Sequence, residues 1–135
     1  MLTKTEFLSL PELYKQLKKD TERVNNMRDR LYTPKGLDTR DKVQSSGKSM
    51  LAEIVIDMQQ KLDARITDYN RMTDEAAAMI ADKLDDDTAL VIRLRYVDCL
   101  SWSEIQAILD CSPATLYRCR KTAIHVLFNE QGGNI

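Results

Sequence analysis

The sequence predicts an all-α chain: a long helical hairpin or coiled coil, followed by a compact C-terminal group of three short helices. Three observations carry this reading. Turn formers are scarce, with 4 Gly and 3 Pro, and aromatics are 6% of the 135 residues, a profile that disfavours sandwiches and barrels. Apolar residues recur at spacings of three, four and seven over long stretches. Serine and aspartate stand in front of the apolar-periodic segments, where helix caps belong. Hydrophobic residues at 43% and charged residues at 30% allow a buried core under a charged surface.

Residues 9–32 read as one helix, with Ser9 as its cap, Pro11 in its first turn and Glu12 complementing its dipole. Leu10, Leu17, Val24 and Leu31 recur every seven residues. Leu13 and Met27 occupy the offset of three, where Asp20 interrupts the series, so this is a short heptad pattern. Pro34, Gly36, Ser45, Ser46 and Gly47 then punctuate a polar break expected to form a loop over 33–48. From Ser49 a second long helix carries the stripe Leu51, Ile54, Val55, Met58, Leu62, Ile66 and Tyr69. Thr73-Asp74-Glu75 has the signature of a new helix start, and periodicity leaves open whether 49–84 is one helix or two. Met50, Met58, Met72 and Met79 read as core filler. The expected division is an oligomerisation region over 1–84 and a separate domain over 85–135.

Several function classes are disfavoured. Apolar runs are too short to cross a bilayer, and the first twenty residues lack the apolar block of a secretory signal. Cys99, Cys111 and Cys119 form neither an even disulfide set nor a zinc spacing, which suits a cytoplasmic setting. With His125 as the single histidine, most Ser-His, Cys-His and His-metal schemes lack a partner. The chain is read as a non-enzyme needing no cofactor and no metal.

The C-terminal segment carries the function. Asp85 to Asp87 supply a cap for a helix from Ala89 to about Val97. Ser101 to Glu104 is a capping box opening a helix to about Leu109. After the break at Asp110-Cys111, Ser112 caps a last helix that starts at Pro113 and runs to about Asn129. A short helix, a three-residue turn and a second capped helix is the length pattern of a helix-turn-helix. Asp110 takes the left-handed position of the turn and Cys111 points inward. Ile105, Ile108 and Leu109 are expected to face Leu116, Cys119, Ala123 and Leu127, with Trp102 as an anchor at the rim. The candidate DNA-binding residues are then Ser112, Ala114, Thr115, Tyr117, Arg118 and Lys121: a capped tip of small residues, then donors and cations. Arg93 or Arg95 could touch the backbone, one of them facing outward. Net charge is −1, but its distribution is uneven: residues 1–50 balance at +4, 51–87 at −6 and 88–135 at +1. Phosphate attraction is local at physiological screening, so one basic face suffices.

The segment ALVIRLRYVDCLSWSEIQAILDCSPATLYRCRKTAIHVL, with LRY at Leu94–Tyr96, the capped SxxEI at Ser101–Ile105, the turn into Ser112 and the final Ala123 and Leu127, resembles region 4 of bacterial sigma factors and their phage relatives. A charged helix, then DKVQSSG at Asp41–Gly47, then a second long helix is similar to the ArpU-type late transcription regulators of phages and prophages of Gram-positive bacteria. The resemblance implies a region 4-like helix-turn-helix domain that binds double-stranded DNA and regulates phage or prophage late genes, with host RNA polymerase as a further partner. Arg93, Tyr96, Trp102, Glu104 and Gln106 are the residues it offers to the polymerase. The sequence departs from the sigma pattern at Pro113, Ala114 and Thr115, where charged base readers are common, so the promoter element does not carry over. Residues 1–87 hold Phe7, Tyr14, Tyr32 and Tyr69 but no Trp, unlike a promoter-melting region. A homodimer through residues 9–72 is expected. The rival readings are a phage packaging protein such as a small terminase subunit, and a protein–protein adaptor without DNA binding.

Overall fold

The structure, a computed structural model, describes residues 2–32 and 41–128. The described residues form six helices and no strand: α1 (Lys4–Leu8), α2 (Leu10–Tyr32), α3 (Asp41–Lys83), α4 (Asp86–Tyr96), α5 (Trp102–Leu109) and α6 (Pro113–Phe128). The all-α reading therefore holds, with three corrections to the boundaries.

The first helix does not begin at Ser9. Thr3 caps α1, its hydroxyl accepting the Glu6 N–H at 3.1 Å while the Glu6 carboxylate accepts the Thr3 N–H at 3.0 Å. Ser9 lies between α1 and α2 with helical backbone angles; its carbonyl accepts the Leu13 N–H at 2.9 Å and its hydroxyl donates back to the Glu6 carbonyl at 2.9 Å, so its side chain does not cap α2. The interruption coincides with Pro11, which has no N–H to donate to the preceding turn.

The second correction concerns the expected loop, since α3 begins at Asp41. Gly47 and the serines around it lower helix propensity by no more than about 1 kcal/mol each, which a long helix tolerates. Residues 33–40 of that expected loop lie outside the described residues. The helix also runs unbroken past Thr73, whose hydroxyl donates to the Asn70 carbonyl at 3.0 Å. Met72, Ala76, Met79 and Ile80 are all buried, so packing holds the helical register through the apparent start signal.

Third, the boundary expected near 84 is not where packing divides the chain. One compact unit comprises Met1–Tyr14 with Tyr69–Ile135, and the other Lys15–Asp68. The core of the first unit gathers Leu2, Phe7 and Leu10 with the α3 residues Met72, Ala76, Met79 and Ile80, and with Val91, Ile92, Tyr96, Ile105, Leu116, Ala123, Ile124 and Leu127. Phe7 is fully buried, its ring 4.8 Å from that of Tyr96 and 5.4 Å from that of Phe128. Nothing local in residues 2–8 announces this role; the ring partners of Phe7 lie about 90 and about 120 positions away.

The second unit is an antiparallel helix pair. Arg65 Nη1 meets the Asp20 carboxylate at 2.7 Å and Arg28 donates to Gln59, so residue numbers rise on one helix as they fall on the other. Leu17, Val24, Val55 and Leu62 form its buried seam, with Leu17 and Val24 seven residues apart on α2 and Val55 and Leu62 seven apart on α3. Ile54, expected in the stripe, is instead 44% exposed. No described helix is long and apolar enough to cross a membrane.

Candidate nucleic-acid interface

Local bonding fixes the ends of α4, α5 and α6. The Asp85 carboxylate accepts the Thr88 N–H at 2.9 Å, which holds its pKa below the usual carboxylate range. Ser101 and Glu104 close a capping box, the hydroxyl accepting the Glu104 N–H at 3.1 Å and the carboxylate the Ser101 N–H at 2.9 Å. The backbone N–H of Ser101 likewise holds the Glu104 carboxyl low. Between α4 and α5 the Leu100 N–H returns to the Leu94 carbonyl at 2.9 Å, with Cys99 in the left-handed region at φ 58°. The Cys99 thiol is pushed up by burial and lies 3.1 Å from the Tyr69 hydroxyl, whose own pKa burial also raises.

The turn into α6 follows the sequence reading. Asp110 is left-handed at φ 53° and ψ 51°, and Cys111 is half-buried against the core. Ser112 Oγ accepts the Thr115 N–H at 3.2 Å and lies 3.0 Å from Thr115 Oγ1. Pro113 then occupies the first position of α6, and the first turn holds no acidic residue. The Thr115 N–H is taken by the Ser112 hydroxyl, the Leu116 N–H by the Ser112 carbonyl at 3.2 Å, and Pro113 has no N–H, so the positive end of the helix dipole, with no carboxylate opposing it, is what favours an anion here.

The two faces of α6 differ sharply. Leu116, Ala123, Ile124 and Leu127 are buried, and Cys119 packs half-buried beside them. All six candidate residues, Ser112, Ala114, Thr115, Tyr117, Arg118 and Lys121, are exposed. Ala114, Arg118 and Lys121 follow at spacings of four and three and so share one face. Thr115 and Tyr117 flank it, and Ser112 is engaged at the cap. Tyr117 also walls a cavity of ≈ 230 Å³ between the starts of α5 and α6, with Trp102, Gln106, Pro113, Leu116 and Arg120.

Several side chains depart from expectation. Ile108 is 60% exposed rather than part of the core, because Ile105 and Leu109 already take the inward face of the short α5. Ile124, not singled out by spacing, is buried. Arg93 faces outward. Arg95 turns inward: its guanidinium carbon lies 5.2 Å from the Trp102 ring centroid and its Nη1 donates to the Leu100 carbonyl at 3.0 Å. Arg95 Nε is buried without a partner. Arg120 is likewise withdrawn, its Nε donating to the Tyr96 hydroxyl at 3.0 Å. Trp102 is a half-buried rim anchor, edge-on to Tyr96 at 6.5 Å. Of the residues offered to a polymerase, Tyr96 is buried and Glu104 is occupied by its capping box. His125 is exposed and four residues beyond Lys121.

The family described as "Protein of unknown function (DUF1492)" matches residues 36–128. That match takes in α3 to α6 and leaves out α1 and α2, and with them Phe7 and Leu10. No curated protein and no solved structure matches the chain.

Proposed function

The chain belongs to the family described as "Protein of unknown function (DUF1492)", and we propose that it is a cytoplasmic, non-enzymatic transcription regulator of phage or prophage late genes that binds double-stranded DNA through α5 and α6. The observation that carries the reading is the exposed α6 face of Ala114, Arg118 and Lys121 directly opposite the buried Leu116, Ala123 and Leu127. A capped tip of small residues approaches the major groove closely, and the two cations behind it meet phosphates or base edges. Arg93 is a third cation available outside α6. The similarity of residues 89–127 to sigma region 4 supports the same docking mode and makes host RNA polymerase a second partner, through exposed Arg93 and half-buried Trp102 and Gln106. A homodimer through the helix pair of 15–68 would place two such units on paired half-sites.

The test is a salt titration of duplex binding by the wild type and by Arg118→Ala/Lys121→Ala. Each lost phosphate contact reduces the logarithmic salt slope by about 0.9, so the double variant should lose about 1.8. Unchanged binding and slope would remove this face from the interface.

A further inference from the structure

We propose that His125 is a further DNA-contacting residue, forming the far end of the α6 contact face and strengthening duplex binding when protonated. The inference rests on the DNA reading above and extends it to a residue near the other end of the helix.

Ala114, Arg118, Lys121 and His125 succeed one another at spacings of four, three and four, and all four are exposed. At the usual helical rise the face therefore runs about 17 Å. A major groove is about 12 Å wide, so a helix whose tip enters the groove carries its far end to the flanking phosphates. His125 stands there, in the last turn of α6.

Among the described residues, the charged groups that other elements bring against α6 include Lys83, whose Nζ donates to the Leu127 carbonyl at 3.5 Å, and Asp85 and Asp87, which act on Cys119. Arg120, on α6 itself, is turned to the Tyr96 hydroxyl. Leu127, Cys119 and Arg120 all lie toward the packed side, with His125 and Lys121 on the open one. Histidine changes charge between about pH 5 and 8, and this is the chain's single histidine. Its protonated form adds one cation to a face that meets polyanion.

The experiment measures affinity for a mixed-sequence duplex over a salt series, at about pH 5.5 and about pH 8, for the wild type, His125→Gln and His125→Lys. The wild-type salt slope should steepen by about 0.9 on acidification. His125→Gln should keep the shallow slope at both pH values, and His125→Lys the steep one. Since the side chain is exposed, both variants should fold as the wild type does, which circular dichroism checks. A wild-type slope that ignores pH, or a His125→Gln protein that still steepens, overturns the inference while leaving the DNA reading in place. Failure of all three proteins to bind duplex at either pH overturns the DNA reading and this inference with it.

Discussion

Helices α2 and α3 each contribute to two compact units, and those units hold their residues by different means. Among the described residues, fifteen side chains are buried in the unit of 1–14 and 69–135, and four in the unit of 15–68. The first interlocks aromatic rings from α1, α4, α5 and α6: Phe7, Tyr96, Phe128 and Trp102. The second closes one seam of Leu17, Val24, Val55 and Leu62, with the Arg65–Asp20 ion pair and the Arg28–Gln59 bond at its edges. A heptad spacing is enough to bring two helices together, but burial scales with the number of elements that converge. Six helices supply the larger core, counting parts of α2 and α3, and two supply the smaller. The candidate interface lies on the better-buried unit, which suits a contact face whose side chains must be held in register.

The largest effect should come from the residue that ties α1 to α4 and α6. Phe7→Ala should destabilise the first unit by about 3–5 kcal/mol, the range for emptying an aromatic core site. Denaturant unfolding followed by the fluorescence of Trp102, the single tryptophan, reads that unit. An effect under about 1 kcal/mol, the level of an ordinary surface or partly relaxed site, would mean that the α1 contact contributes little. Leu62→Ala should cost less, about 2 kcal/mol at the low end for Leu→Ala, because a two-helix seam can close over the vacancy. If its cost equals that of Phe7→Ala, the contrast between the units fails.

Ser101→Ala removes a hydroxyl that holds the first turn of α5 and should cost about 1 kcal/mol, visible as a lower denaturation midpoint. The same caps give a pH dependence. The carboxyls of Asp85 and Glu104 are held low by helix N–H groups, so their folded pKa values lie beneath the unfolded ones. Their stabilisation is present above the ordinary carboxylate range, about pH 4, and is lost as pH falls through the folded values. Acid titration of Asp85→Asn should show a shallower loss of stability there than the wild type. The smallest effect is expected at Ile108, which is 60% exposed: Ile108→Ser should change stability by less than about 0.5 kcal/mol. A cost near that of Leu62→Ala would put Ile108 back into a core.

Much of the C-terminal segment was legible because its signals are local. The Asp85 cap, the Ser101–Glu104 box, the left-handed Asp110 and the Ser112 cap each join groups within a few residues, so sequence alone fixes them. The same holds for the exposed face of α6, since its polarity follows from helical spacing. Ile108 was misread because spacing gives the side of a helix and not how wide a strip its partners cover.

What the sequence determined by itself is therefore the three C-terminal helices with their caps, the bodies of α2 and α3, and the outward cations of α6. Only the tertiary structure decided which of those helices share a core. Phe7 meets Tyr96 and Phe128, and the Cys99 thiol lies 3.9 Å from the Leu10 carbonyl, contacts between residues about 90 to 120 apart in the chain. It likewise decided that α3 runs through Thr73, that Arg95 faces Trp102 while Arg93 faces outward, and that Cys99 adopts a conformation glycine usually takes. Caps and helical spacing are set by residues within a turn or two of one another, whereas these depend on which apolar surfaces find each other. Burial rewards any sufficient apolar partner without direction, so the choice among partners is made by shape and packing and not by local spacing.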